Sequence, residues 1–133
     1  GLMFIDTSGF LCRFERTEIY HEEAVEFYDS AAIRLTSSYV LAEYSALAQV
    51  RGIPREQIID FSERILGDDK IEIVWVDENL HNQAFQLLQN RLDKSYSLCD
   101  AVSFIVMRER KITEVLTTDH HFSQEGFIKL LDS

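Results

Sequence analysis

The stretch that decides the fold is LMFIDTSG at residues 2–9, a short apolar run that ends in a carboxylate, two hydroxyl side chains and a glycine. An apolar run of this length, closed by turn-forming residues, predicts a buried β-strand from Leu2 to Ile5. Similar runs predict four more strands, at residues 33–36, 71–76, 115–117 and 127–131. The chain therefore carries about five short strands, each apolar enough to be buried.

Helical patterns separate these strands. The predicted helices cover residues 18–32, 38–51, 54–66, 78–93 and 98–110. Ser37 or Ser38 caps the second of them, and Pro54 stands in the first turn of the third. Short strands that alternate with helices predict an α/β fold with a central parallel sheet covered on both faces. In such sheets ligands bind beyond the carboxyl ends of the strands.

Composition narrows the classes of function. The 133 residues are typical of one domain, with no linker-like stretch, so we expect residues 1–133 to form a single unit. The net charge is −10. This sign disfavours proteins that bind nucleic acid mainly through general phosphate contacts, and polybasic proteins that bind membranes. No uncharged apolar run approaches the ~20 residues of a membrane span. Cys12 and Cys99 fit no CxxC pattern and are expected as reduced thiols in the cytoplasm.

Four of the 23 acids lie in otherwise uncharged surroundings: Asp6, Glu43, Asp100 and Asp119. Asp6 and Asp119 follow predicted strands, and Asp100 lies in the first turn of the most apolar helix. Glu43 shares a helical stripe with Val40 and Leu47, which predicts that it points toward the core. A carboxylate that loses its hydration needs a partner, and a divalent cation would serve all four acids. Their hard oxygen atoms suit Mg²⁺ or Mn²⁺.

Each acid also has a purely structural interpretation. Asp6 would cap the helix after the first strand, and Glu43 would pair with a distant Arg or Lys. Asp100 would complete a capping box begun by Ser97, and Asp119 would cap the turn that follows it. The adjacent His120 and His121 point in different directions, so we expect both to be structural or on the surface.

The quoted motifs together resemble a known family. FIDTS at residues 4–8, Glu43, SLCD at 97–100 and LTTDHHF at 116–122 are similar to the PIN domain, in the compact bacterial form that acts as the toxin of VapBC-type toxin–antitoxin pairs. The order of the acids and the segment lengths match nearly end to end. The resemblance implies a three-layer α/β/α sandwich with strand order 3-2-1-4-5, an Mg²⁺- or Mn²⁺-dependent endoribonuclease, a homodimer and a cognate antitoxin.

The resemblance also implies roles for individual residues. Asp6, Glu43 and Asp100 would be the core metal ligands, and Asp119 a fourth acid that often acts through water. Thr7, Ser97 and Thr118 would orient these acids from a second layer. Cys99 stands where a threonine is common in similar proteins. Water attack assisted by the metal would leave 5′-phosphate ends.

An acidic chain that binds RNA needs a local basic patch. Arg13 and Arg16 follow the first strand and would flank the groove, and Lys94 precedes Asp100. The structural interpretation of each is a solvated surface charge.

Two other classes of protein remain as alternatives. One is a non-enzymatic PIN-like module that binds RNA or a protein. The other is a phosphatase or phosphoacceptor domain, but its Asp-x-Asp pattern is broken because Thr7 and Ser8 follow Asp6. A nucleophilic Cys99 is disfavoured because the sequence places no histidine to activate it.

Overall fold

The computed structural model describes residues 1–132 and contains one parallel sheet. Its strands are β1 (Leu2–Ile5), β2 (Ile33–Ser37), β3 (Ile71–Val74), β4 (Glu114–Leu116) and β5 (Ile128–Lys129). The order β3-β2-β1-β4-β5 confirms the expected strand order and the α/β/α architecture. The observed β3 and β5 are shorter than predicted because each pairs with one neighbour only and ends where that ladder ends.

Helices flank the sheet and connect its strands. They are α1 (Thr7–Phe14), α2 (His21–Ser30), α3 (Ser38–Val50), α4 (Arg55–Leu66), α5 (Glu78–Gln89), α6 (Leu98–Glu109) and α7 (His121–Gln124). Ser37 caps α3 by accepting a hydrogen bond from the Val40 amide. Pro54 stands at the N-cap of α4, one position earlier than predicted. Within residues 1–132, no helix has both the length and the apolar character needed to cross a bilayer.

The register of the central strands decides which residues meet beyond the sheet. Phe4 of β1 lies beside Leu35 of β2 and Val115 of β4. Because the three strands are parallel, their carboxyl ends meet at one edge. The Asp6 amide donates to the Leu116 carbonyl at 3.2 Å, which ties the start of α1 to the end of β4.

Two helices lie close to this edge. Helix α1 packs so tightly on β4 that a Cβ atom at Gly9 would stand 2.1 Å from the Leu116 carbonyl oxygen. Helix α6 is buried over most of its length, including Asp100 in its first turn. An aromatic cluster joins α1, α2, α3 and α4: Phe10, Phe14, Tyr28, Tyr44 and Phe61. This cluster holds α1 against the three neighbouring helices.

Candidate metal centre

One cleft, about 530 Å³ in volume, is lined by all four of the isolated acids. Asp6 follows β1, Glu43 lies on α3, Asp100 lies in the first turn of α6, and Asp119 follows β4. The sequence spreads these residues over more than a hundred positions, and the parallel sheet gathers them at its carboxyl edge. Their role as metal ligands remains a prediction.

Asp6 is the most deeply buried of the four, with 4% of its surface exposed. Its Oδ2 atom accepts a hydrogen bond from the Thr117 hydroxyl at 3.0 Å. Its Oδ1 atom is buried and has no hydrogen-bond partner within the described chain. Burial raises the pKa of the Asp6 carboxyl to about 7. The Asp100 and Glu43 charges add to this rise, and hydrogen bonds from the Thr7 backbone amide and the Thr117 hydroxyl oppose it. Asp6 stands at the N-cap of α1, as the capping interpretation expected, but its side chain does not form the usual N-cap hydrogen bond to an amide farther along the first turn.

Glu43 does not lie on the core face of α3. The buried stripe of this helix is formed by Val40, Tyr44 and Ala48, and Glu43 is exposed on the neighbouring face. The sequence-based stripe was offset by one residue, about 100° around the helix axis. Glu43 borders the cleft, and its Oε1 atom accepts a 2.5 Å hydrogen bond from the Thr7 hydroxyl. Within residues 1–132, no Lys or Arg forms an ion pair with it.

Asp100 combines a capping role with a place in the cleft. It forms the predicted capping box, in which the Asp100 amide donates to Ser97 Oγ and the Ser97 amide donates to Asp100 Oδ2, each at 3.0 Å. His121 Nδ1 lies 3.1 Å from the same Oδ2 atom. The contacts from the Ser97 amide and from His121 are both made to Oδ2. They hold the carboxylate in place and do not involve Oδ1. The structural and functional interpretations of Asp100 are therefore compatible.

His121 is a site residue that the sequence did not reveal. Its Nδ1 atom is also 3.3 Å from Asp119 Oδ1, and its backbone amide donates to that oxygen at 2.9 Å. Its Nε2 atom lies 3.1 Å from Ser95 Oγ, and its ring meets Tyr96 edge-on at 5.2 Å. The neighbouring His120 is exposed. A histidine two residues after a candidate ligand is the pattern that would have pointed to it, because an aspartate often accepts from the amide two positions on.

The hydroxyl residues around the acids agree with the prediction only in part. Thr7 binds Glu43, and Ser97 binds Asp100, as described above. Within the described residues, the Thr118 hydroxyl forms no hydrogen bond that orients an acid, and the Thr118 backbone amide donates to Ser8 Oγ at 3.0 Å. The buried Thr117 takes that role at Asp6, and its hydroxyl also lies 2.9 Å from Ser8 Oγ. The predicted hydroxyl donor, Thr118, is therefore one residue away from the observed one, Thr117. Beyond the end of β4 side chains no longer alternate between the two faces of the sheet, so the sequence pattern does not predict their direction.

The predicted basic patch is not gathered at the cleft. Arg13 donates to Asp29 Oδ1 at 3.1 and 3.2 Å and packs over the Tyr28 ring, outside the cleft lining. Arg16 and Lys94 are exposed and also lie outside that lining. Arg51 does line the cleft, where it pairs with Glu18 at 3.2 Å. It was not singled out from the sequence because it follows a helix like any surface cation.

The chemistry of the donor set suits a divalent cation. Oxygen atoms of Asp6 and Glu43 and the Cys99 sulfur lie within 4.8 Å of one another. Asp100 is close enough to raise the Asp6 pKa, and the buried Asp6 Oδ1 atom lacks a partner among residues 1–132. Such a desolvated cluster of acids is stabilised when a cation satisfies the free oxygen atoms. The residues therefore fit a metal ion of the kind that binds carboxylates.

Comparison with known proteins finds a matching family model and relatives of nearly the same length. The family model of the PIN domain matches residues 3–127. Two relatives named 23S rRNA-specific endonuclease VapC20, from the Mycobacterium tuberculosis strains CDC 1551/Oshkosh and H37Rv, are each 29% identical over 130 residues. Those alignments cover 97% of this chain and 98% of the relatives. The crystal structure of M. tuberculosis VapC20, described as a Sarcin-Ricin loop cleaving toxin, superposes with a TM-score of 0.87 at 27% identity, over 96% of this chain and 97% of that one.

Proposed function

We propose that this chain, which belongs to the PIN domain family, is a toxin-type endoribonuclease that hydrolyses RNA phosphodiester bonds with the help of Mg²⁺ or Mn²⁺. The observation that carries the proposal is the buried Asp6 carboxylate, whose Oδ1 atom has no partner in the part of the chain that the structure describes, while Asp100 and Glu43 lie close by. An arrangement of this kind opposes folding unless a cation binds it. This cluster of acids destabilises the metal-free fold, which is consistent with a role as metal ligands.

The residues divide the work at this site. Asp6, Glu43 and Asp100 would hold the metal, and Asp119 lies beside them at the cleft. When bound, a divalent cation supplies a Lewis acid for the scissile phosphate and lowers the pKa of a coordinated water. Thr117 and Thr7 hold the carboxylates of Asp6 and Glu43 by hydrogen bonds.

The relatives support RNA as the substrate class. VapC20 is named for its action on 23S rRNA, and the correspondence with it extends over nearly the whole of both chains. Inhibition by a cognate antitoxin, a homodimeric assembly and a cytoplasmic location, all implied by the sequence and its resemblance, are part of the same proposal. Hydrolysis by water would leave 5′-phosphate and 3′-hydroxyl ends and would not need the 2′-hydroxyl.

The test is cleavage of a mixed pool of structured RNA by the purified protein in Mg²⁺, in Mn²⁺ and in EDTA. Asp100→Asn protein, purified in parallel, controls for contaminating nuclease. Asp69→Asn is the matched control because Asp69 is an exposed aspartate outside the cleft lining. We expect metal-dependent products with 5′-phosphates from wild type and Asp69→Asn, and a loss of more than about a hundredfold in Asp100→Asn, since even outer-shell changes cost ten- to a hundredfold.

The same experiment tests the non-enzymatic alternative. Equal products from wild type and Asp100→Asn would mean contamination or a site elsewhere. RNA binding by wild type without cleavage of any tested ribosomal or messenger RNA would favour a PIN-like binding module.

A further inference from the structure

Cys99 is a potential ligand inside the candidate metal centre that the carboxylate chemistry does not use. It lies in the first turn of α6, next to Asp100, with 8% of its surface exposed. Its Sγ atom lies within 4.8 Å of an Asp6 carboxylate oxygen and a Glu43 carboxylate oxygen. Three donors from three different elements, α6, the β1–α1 junction and α3, therefore converge on one small volume.

The surroundings of Cys99 are strongly anionic. Burial raises the pKa of the Cys99 thiol, and the charges of Glu43, Asp6 and Asp100 raise it further. Arg51, which lies in the cleft lining, is paired with Glu18. These anionic surroundings disfavour a free nucleophilic thiolate at Cys99.

A second observation points to a ligand at this cluster. The Asp6 side chain is more than nine-tenths buried, and its Oδ1 atom has no partner among the described residues. Hard cations such as Mg²⁺ take the carboxylate oxygens and leave a thiol unused. Softer cations such as Zn²⁺ and Cd²⁺ bind thiolate, carboxylate and water together at close to tetrahedral geometry.

We propose that Cys99 adds a sulfur ligand to this site, so that Asp6, Glu43 and Cys99 bind a thiophilic divalent cation such as Zn²⁺, which competes with the Mg²⁺ that supports catalysis. On binding, the thiol proton is released to solvent and the sulfur bonds to the metal. The competition rests on the proposed function, because it assumes that the same carboxylates serve the nuclease. The sulfur ligation stands on the cluster alone.

The test uses Cd²⁺ as the probe, since a thiolate bound to Cd²⁺ produces an ultraviolet charge-transfer band that oxygen ligands do not produce. The full chain is titrated with Cd²⁺ in Mg²⁺-free buffer with a phosphine reductant. We expect a band that saturates at one equivalent in wild type. Cys99→Ser and Cys99→Ala should both lose the band and bind Cd²⁺ at least about tenfold more weakly, as is usual when a metal site is impaired.

Cys12→Ser is the matched control, because Cys12 is a buried cysteine that lines the same cleft but lies outside the cluster. It should keep the band. Absence of the band in wild type, or its persistence in a folded Cys99 variant, would overturn the proposal. Two variants are used so that one that fails to fold, judged by its circular dichroism, does not decide the result.

Inhibition of RNA cleavage by Zn²⁺ gives the functional readout. The half-inhibiting Zn²⁺ concentration should rise about tenfold in the Cys99 variants, in line with the weaker binding. The cadmium band is measured without RNA, so the test of sulfur ligation gives a result even if the protein cleaves no RNA. A band without any nuclease would support the thiophilic site and contradict the proposed function, whereas a nuclease without a band would do the opposite.

Discussion

At the residue scale, Asp6 couples the candidate site to the stability of the protein. The pKa of its carboxyl is about 7 in the folded protein and 3.8 in its ordinary state. The folded chain therefore binds more protons than the unfolded chain between these two pH values. It follows that this group lowers the free energy of unfolding of the metal-free protein as the pH rises across that window.

Asp6→Asn should remove this titration. In EDTA, the variant should match wild type below pH 3.8 and become progressively more stable than wild type up to pH 7, by about 4 kcal/mol at most. The measurement is urea denaturation of both proteins across that pH range. The same variant should lose RNA cleavage, because the metal loses a charged ligand. A stability difference that does not change with pH would contradict the account of Asp6.

Asp119 should be less critical than Asp100. It is more exposed, and its Oδ1 atom already accepts from the His121 amide. Asp119→Asn preserves that acceptor, so we expect a smaller loss of cleavage than in Asp100→Asn when both are measured as initial rates in Mg²⁺. A loss as complete as that of Asp100→Asn would contradict the assignment of Asp119 as an outer acid.

His121 should act by holding the acids rather than by contacting the metal. It contacts Asp100 Oδ2 at 3.1 Å and Asp119 Oδ1 at 3.3 Å. His121→Ala should weaken Mn²⁺ binding, followed by electron paramagnetic resonance, by about ten- to a hundredfold. His120→Ala is the matched control, because its side chain is 69% exposed and lies 3.8 Å from Asp119. An equal loss of Mn²⁺ affinity in the two variants would contradict a positioning role for His121.

At the scale of elements, the position of the site depends on how closely α1 approaches β4. An alanine Cβ at Gly9 would meet the Leu116 carbonyl oxygen at 2.1 Å, and a backbone atom cannot swing aside as a side chain can. Gly9→Ala should destabilise the fold by about 3 kcal/mol, the upper range for overpacking. Gly52→Ala is the comparison: its φ of 78° is strained for alanine but its surroundings are open, so the cost should be about 1 kcal/mol. Thermal or urea unfolding of both variants measures the difference; similar costs would show that α1 shifts easily.

The helices and strands were easier to predict from the sequence than which side of each is buried. Five short apolar runs sufficed to place the strands. Burial accounts for the apolar pattern of the central strands β1, β2 and β4, whereas the edge strands β3 and β5 are only partly buried. The face of α3 was missed because Val40, Glu43 and Leu47 fit a helical stripe as well as Val40, Tyr44 and Ala48 do. Only packing against the neighbouring helices selects the second stripe. Thr117 and His121 were missed for a related reason. Thr117 directly follows the last residue of β4, and His121 begins the four-residue helix α7, and both segments are too short for periodicity to predict orientation.

At the scale of the whole molecule, an acidic protein must bind a polyanion. The net charge is −10, and the four acids of the cleft add local repulsion toward phosphate. The sequence predicted that a local patch would be needed and placed it on Arg13, Arg16 and Lys94, which the structure puts outside the cleft lining. Arg51 lies in the cleft lining instead. We therefore expect RNA affinity to depend on few phosphate contacts and on the bound metal.

Few phosphate contacts should give a shallow dependence of RNA affinity on salt. Each phosphate contact to single-stranded RNA contributes a slope of about −0.7 in the logarithm of affinity against the logarithm of salt concentration. In an Asp100→Asn background that prevents cleavage, we expect a total slope no steeper than about −3.

Arg51→Gln should weaken RNA binding and make this slope shallower by about 0.7, because the substitution removes one cation from the cleft. Arg16→Gln is the comparison, since Arg16 is exposed outside the cleft lining. An equal loss in both variants would mean that RNA contacts extend beyond the cleft, as the sequence predicts for Arg16, and a much steeper slope would mean that the net charge of the chain conceals a larger basic surface.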